Sequence, residues 1–253
     1  MVYKAASSTE FACDWGNVVW VLSANLEQAK QLIRSRLKGM CERFNTELYT
    51  LVLSDTENFR VDLNPDYKSD RKATRKPIVW GPLREWMFSD MEAISYPRLE
   101  ADDTLGILQT SGIHDATIIV SEDKDMQTIP GHLFRGGELV RITLEEANHF
   151  HMMQTLMGDP TDGYKGCKGI GPKTAEKLLQ GNPEGWWGTI LETYSKAGMS
   201  EEDALLNARM AYILRAENWD KDKQAVRLWC PPGPFDGHKC NSLAEALQCP
   251  RCH

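Results

Sequence analysis

From Ala24 to Phe44 the apolar positions Leu26, Ala29, Leu32, Ile33, Leu37, Met40 and Phe44 recur at helical spacing, with Lys30, Arg34, Arg36 and Lys38 between them. That pattern predicts an amphipathic helix. Residues 47–53 form a short β-rich run ending in Ser54-Asp55, too short for a helix and too apolar for an exposed strand. A buried parallel strand is expected there. The alternation resumes with a helix over 83–89, a strand over 93–96, and a helix opening at Glu100-Ala101-Asp102-Asp103 and reaching about Thr110. A strand over 117–120 then ends in Ser121-Glu122-Asp123-Lys124-Asp125. Residues 132–135 and 138–142 flank Gly136-Gly137 as a hairpin. Thr143 with Glu146 three residues on forms a capping box for a helix reaching about Met157. Strands and helices alternating in this way predict an α/β core with a largely parallel sheet. After Gly158 the pattern is helical with glycine-rich turns, including an amphipathic helix expected over 201–217.

Residues 54–77 differ in character. Arg60, Lys68, Arg71, Lys72, Arg75 and Lys76 dominate, with Asp62, Asp66 and Asp70 among them and Pro65 and Pro77 bracketing most of the basic residues. This reads as a basic excursion on the surface.

The chain has 253 residues, 42% hydrophobic and 26% charged, an ordinary globular composition that excludes disorder. It is long enough for one generous domain, or for a core with a smaller appendage. No run approaches the ~18 apolar residues of a membrane span, and the first residues lack the apolar stretch of a secretory signal. The expectation is a soluble, intracellular-type chain without a membrane partner. Cys13, Cys41 and Cys167 read as reduced thiols, whereas Cys230, Cys240, Cys249 and Cys252 crowd the C-terminal end.

The acids fall in a pattern. Asp55, the cluster Glu100, Asp102 and Asp103, and the pair Asp123 and Asp125 each sit at the end of a predicted strand or the following helix start. In an open parallel sheet those ends share one ligand-binding edge, so these acids are expected to converge. Asp159 and Asp162, in Gly158-Asp159-Pro160-Thr161-Asp162-Gly163, are placed to join them. Carboxylates so crowded repel one another unless a cation neutralises them, and hard oxygen donors favour Mg²⁺ or Mn²⁺ over Zn²⁺. The formal net charge is −7. Setting those eight acids aside leaves the rest near neutral, so the overall acidity does not exclude a nucleic-acid partner.

The stretch Gly166-Cys167-Lys168-Gly169-Ile170-Gly171-Pro172-Lys173-Thr174-Ala175-Glu176-Lys177 is the most specific in the chain. A Gly-x-Gly turn lets backbone N–H groups approach an anion, and Pro172 suits the first position of the following helix. With Lys165, Lys168, Lys173 and Lys177 around it, the turn suits a helix-hairpin-helix grip on a phosphate backbone that reads no bases.

These segments together resemble the 5′-nuclease superfamily of flap endonucleases and 5′→3′ exonucleases, with the 5′ exonucleases of short-tailed bacteriophages the nearest in kind. The resemblance rests on Leu51-Val52-Leu53-Ser54-Asp55, Asn64-Pro65-Asp66-Tyr67-Lys68-x-x-Arg71-Lys72, Leu99-Glu100-Ala101-Asp102-Asp103, Ile119-Val120-Ser121-Glu122-Asp123-Lys124-Asp125, and the 158–163 turn leading into Gly169-Ile170-Gly171. It implies a PIN-like α/β domain over 1–157 with a helical arch at about 56–80. A helical DNA-binding region of helix-hairpin-helix (helix-three-turn-helix) type follows over 158–229, then a Cys-rich tail over 230–253. It also implies hydrolysis with two Mg²⁺ or Mn²⁺ ions. Asp55, Glu100 and Asp102 would hold the first; Asp103, Asp123, Asp125, Asp159 and Asp162 would hold or orient the second. Lys68 would be the phosphate-clamping lysine, Tyr67 a stacking platform, and Arg71 and Lys72 a grip on phosphates. Lys168, Gly169, Gly171, Lys173 and Thr174 would hold the duplex backbone. The implied partner is DNA at 5′ ends, flaps, nicks or gaps, or an RNA primer in a hybrid, bound by a monomer in the cytoplasm of an infected bacterial host.

One departure stands out. Family members begin with a short apolar strand whose aspartate is a metal ligand, and Met1–Ala6 looks instead like the helix after it. The expectation is an N-terminally shortened chain, through a misplaced start or gene decay, with Asp14 a weak substitute ligand. The rival reading is a DNA-binding remnant without catalysis. In the tail, Cys249-Pro250-Arg251-Cys252 is half a zinc ribbon that Cys240 or His238 would complete, but the spacing fits no standard finger. His149 and His151 are expected in core or groove positions, and Trp186, Trp187, Trp219 and Trp229 in packing.

Overall fold

The computed structural model describes residues 10–15, 18–69, 75–113 and 116–231. In chain order the elements are β1 (Glu10–Trp15), β2 (Val18–Ala24), α1 (Leu26–Phe44), α2 (Arg60–Leu63), α3 (Trp80–Ser89), α4 (Ala101–Thr110), β3 (Ile118–Val120), β4 (Gly131–Arg135), β5 (Glu138–Ile142), α5 (Leu144–Met157), α6 (Pro172–Leu178), α7 (Trp186–Lys196), α8 (Glu201–Ala211), β6 (Trp219–Asp220) and β7 (Ala225–Val226). A 3₁₀ turn at Lys124–Thr128 follows β3. The chain divides into two compact units, one of Met1–Leu53 with Asp70–Ile94, the other of Ser54–Ser69 with Ser95–His253.

In the first unit β1 and β2 form an antiparallel hairpin with Asp14 opposite Val19. Hydrophobic periodicity does not report this hairpin, although the two positions between the strands, Gly16 and Asn17, are a hairpin signal. The aspartate-bearing strand thought missing bears on Met1–Thr9, which lie outside the described residues. Helix α1 starts at Asn25, whose side chain accepts from the Gln28 N–H at 2.9 Å, and ends at left-handed Asn45. Its buried stripe of Ala29, Ile33 and Leu37 packs with Leu51, Leu53, Val79, Leu83, Trp86 and Met87. The strands expected over 47–53 and 93–96 shrink to one parallel bridge, Val52 with Ile94. Leu51 and Leu53 are buried, but Leu48 and Tyr49 face solvent. Only the last part of the run has core to fill.

The second unit contains a three-stranded sheet in the order β3-β4-β5. β3 pairs parallel with β4, and β4 antiparallel with β5, so the sheet is small and mixed. The Thr143–Glu146 capping box is present at the start of α5. Helix α5 is the core helix: His151, Met152, Met153, Gln154, Thr155 and Leu156 are buried. The main cluster runs from Phe59 through Leu99, Leu156, Ile190 and Tyr194 to Leu228, without a break at residue 158. His151 is 1% exposed, and burial drives its pKa down to about 3, so it is a neutral core histidine. Trp186, Trp187 and Trp219 are buried as packing residues. The helix expected over 201–217 stops at Ala211, because Tyr212–Leu214 continue as buried extended chain whose Leu214 N–H donates to the Asp103 carboxylate at 3.1 Å.

Two glycines shape the loop after α5. Gly158 and Gly166 have φ of 69° and 65°, and a Cβ on Gly166 would stand 2.2 Å from the Gly158 nitrogen. Only paired glycines let these strands of chain touch. Their contact closes the Asp159–Tyr164 bridge, which presents Asp159 and Asp162.

Candidate active site

All the site acids belong to the second unit. Glu100 is the residue before α4, with its carboxylate held by three groups: Lys68 Nζ at 2.7 Å, Tyr67 Oη at 2.7 Å and Arg60 at 3.6 Å. Burial would push its pKa up, but Lys68 and Arg60 outweigh burial and lower it to about 2. Lys68, in a left-handed conformation with φ of 51°, also lies 3.4 Å from Asp162 Oδ2. One ammonium therefore joins the acid at the start of α4 to the acid of the Gly158–Gly166 loop.

Asp123 precedes the 3₁₀ turn and accepts from the Asp125 N–H at 2.9 Å. Asp125 is gripped by the buried amide of Gln154 on α5, Nε2 to Oδ1 at 2.6 Å. Asp159 accepts from Lys124 Nζ at 3.0 Å and from the Thr161 N–H at 2.9 Å. Two carboxyls register the crowding. Burial and then Glu100, Asp123 and Asp103 raise Asp102 to about 7. Burial and then Asp123, with smaller contributions from Asp159 and Asp162, raise Asp125 to about 6. The acids at 100–103, 123–125 and 159–162 thus share one electrostatic neighbourhood.

The acids at the margins of this group have other engagements. Asp55 donates its N–H to the Leu99 carbonyl, and its carboxylate accepts from the Arg98 and Thr56 N–H groups, both at 2.7 Å. Asp103 is fully buried: Arg60 grips both oxygens, at 2.6 and 2.8 Å. Arg60 also donates to the Met210 and Tyr212 carbonyls at the end of α8. Tyr67 is 4% exposed, packed with Tyr164, Met210 and Ala211, so its ring is core and not a face for stacking bases. Arg71, Lys72 and the tail residues His238, Cys240, Cys249 and Cys252, with the zinc reading they carried, lie outside the described residues. Lys168, Gly169, Gly171, Lys173 and Thr174 are exposed together, with Gly171 capping α6 and Pro172 opening it. No atom stands within 4 Å of a Cβ built on Gly169 or Gly171, so this backbone is open to approach.

Arg60, Lys124 and Gln154 were not singled out by sequence. Each acts on an acid 29 to 43 positions away, and only the position of Lys124 between Asp123 and Asp125 was a local signal. Among the described residues no group of three or more His, Cys, Asp or Glu is arranged to hold a metal ion. The side chains are turned instead onto lysines, arginines and N–H groups. The donor chemistry still fits a hard divalent cation: carboxylate oxygens, no histidine, and two carboxyls raised first by burial and then by neighbouring acids.

Residues 25–146 match the family described as "5′-3′ exonuclease, N-terminal resolvase-like domain". The chain is 31% identical to the exodeoxyribonuclease of Enterobacteria phage T3, over 91% of this chain and 90% of that protein. It is 30% identical to the exonuclease of Escherichia phage T7, over 91% of each. Among solved structures, a phage T5 protein co-crystallised with metal ions shares the fold, with a TM-score of 0.52 and 17% identity over 74% of this chain and 82% of that one. The chain belongs to the 5′–3′ exonuclease family.

Proposed function

We propose that the protein is a metal-dependent 5′→3′ exonuclease and flap endonuclease that hydrolyses DNA phosphodiesters from 5′ ends. The observation carrying this reading is Lys68, which spans Glu100 and Asp162 and so ties distant acids into one anionic surface beside a single ammonium. Membership of the exonuclease family supports it.

Asp55, Glu100 and Asp102 are the candidates for one Mg²⁺ or Mn²⁺ ion, and Asp123, Asp125, Asp159 and Asp162 for a second. Bound divalent ions supply an activated water and neutralise charge at the leaving oxygen. Asp103 serves differently: with both oxygens on Arg60, it fastens the segment bearing Tyr67 and Lys68. Tyr67 orients Glu100 through its hydroxyl, and Gln154 orients Asp125. Lys68 places positive charge where a scissile phosphate must meet the acids. The open turn at Gly169 and Gly171, with Lys168, Lys173 and Thr174, holds a phosphate backbone without reading bases.

The test is cleavage of a 5′-labelled duplex and a 5′ flap by the purified chain, with Mg²⁺ or Mn²⁺ against EDTA. Metal-dependent release of short 5′ products is the expected result. Binding without cleavage would point to the non-catalytic remnant instead.

A further inference from the structure

We propose that Lys124 is an exchangeable counter-ion: it holds Asp159 when divalent ions are absent and moves to a substrate phosphate when they are present. This rests on the nuclease reading above.

Lys68 and Lys124 both pair with site acids but are held differently. Lys68 touches two carboxylates, lies against the Tyr67 ring at 4.8 Å, and its side chain is 20% exposed. Lys124 meets one carboxylate, Asp159 Oδ2 at 3.0 Å, with its side chain 57% exposed. Only the lysine side of this single pair faces solvent, and its flexible four-carbon stem can swing away without disturbing the acid. Asp159, by contrast, is 8% exposed and fixed by the Thr161 N–H and the Asp159–Tyr164 bridge, so the acid stays while the lysine leaves. Lys124 follows Asp123 and precedes Asp125, so its backbone is part of the acid wall. A divalent ion drawn to Asp159 repels the ammonium from that carboxylate. The freed ammonium stays in the field of Asp123 and Asp125, beside the ions, where it can meet a phosphate brought to them.

The experiment is a salt titration of binding to a 5′-flap duplex, followed by fluorescence anisotropy. Wild type, Lys124→Met and Lys124→Arg are compared in EDTA and in Ca²⁺, which allows binding to be read without turnover. In EDTA all three slopes of log K against log salt are expected to coincide, because Lys124 is then engaged with Asp159. In Ca²⁺ the Lys124→Met slope should be shallower by about 0.7–0.9, the contribution of one phosphate contact, and Lys124→Arg should keep the wild-type slope. Calorimetric titration without DNA should show Ca²⁺ binding to Lys124→Met at least about threefold tighter, since a pair with one buried partner is worth no less than an exposed one. Coincident slopes in Ca²⁺, or the same slope difference in EDTA, would overturn the exchange. If wild type failed to bind the flap in any condition, the nuclease reading itself would fall. Lys124 is exposed, so both variants are expected to fold, which circular dichroism checks.

Discussion

Lys68 and Glu100, thirty-two positions apart, meet at 2.7 Å through Nζ and Oε1. Lys68 leads the charges that hold Glu100 far below the ordinary carboxylate range against its burial. A charged hydrogen bond of this kind contributes about 1.5–3 kcal/mol. Lys68→Met is therefore expected to slow single-turnover cleavage of a 5′ flap by roughly ten- to a hundredfold. Duplex affinity through the Gly169–Gly171 turn should change little. An unaltered cleavage rate would remove Lys68 from the site.

Arg60 and Asp103 form a closed pair at 3% and 0% side-chain exposure. Removing one partner of such a pair leaves an uncompensated buried charge and costs about 3–5 kcal/mol. Arg60→Met should lower the stability of the chain by that order in urea unfolding. If Asp103 were a metal ligand and nothing more, stability in EDTA would be unchanged by this variant.

The raised carboxyls make stability depend on pH in an unusual direction. Asp102 and Asp125 hold protons in the folded state up to about 7 and about 6, whereas the unfolded carboxyls ionise near the ordinary aspartate value of 3.8. Between about pH 4 and pH 7 the folded chain binds more protons, so its stability falls as pH rises. Glu100, with its lowered pKa, acts only at lower pH: its contribution is full above about 4.5 and is lost as pH falls towards about 2. Melting temperature in EDTA should thus decline from pH 5 to pH 8, and Asp102→Asn should flatten the decline. Ca²⁺ should restore stability most at pH 8, where the acids are ionised. A melting temperature that rises steadily to pH 8 in EDTA would contradict the clustering of these acids.

Gly166→Ala should damage fold and site together. Its Cβ would meet Gly158 N, the Met157 carbonyl carbon and the Leu156 oxygen, at 2.2 to 2.7 Å, from a φ of 65°. Left-handed strain alone costs of order 1–3 kcal/mol, and the backbone clash adds to it. The expected outcome is lower stability with loss of cleavage, whereas Gly169→Ala, with a φ of 82° but open surroundings, should carry the left-handed strain alone and lose less stability.

Local chemistry in the chain reported local structure well. The capping box at Thr143, the hairpin about Gly136-Gly137, the helix opening after Glu100 and the Pro172 helix start all follow from neighbours within a few positions. The strand-end rule accounts for Asp123 and Asp125, which follow β3, whereas Glu100 follows a turn and Asp159 a helix. The partners of those acids were not legible. Arg60 read as one more cation of a basic excursion, yet burial against Asp103 and two carbonyls makes it an internal anchor. Tyr67 read as an exposed aromatic, but its neighbours Tyr164, Met210 and Ala211 come from remote segments. Periodicity cannot report which of several arginines finds a buried aspartate. Residues 47–53 show the converse: β-rich composition promised a strand, and only one bridge formed, since Leu48 and Tyr49 have nothing to pack on.

The most direct measurement is the cleavage and binding of Asp123→Ala beside wild type, on one 5′-labelled flap duplex. Mg²⁺ is used for cleavage and Ca²⁺ for binding. The expected result is loss of product release by several orders of magnitude with duplex affinity retained, as the proposed division between a catalytic acid wall and a DNA-holding Gly169–Gly171 turn requires. Product release at the wild-type rate would contradict the account.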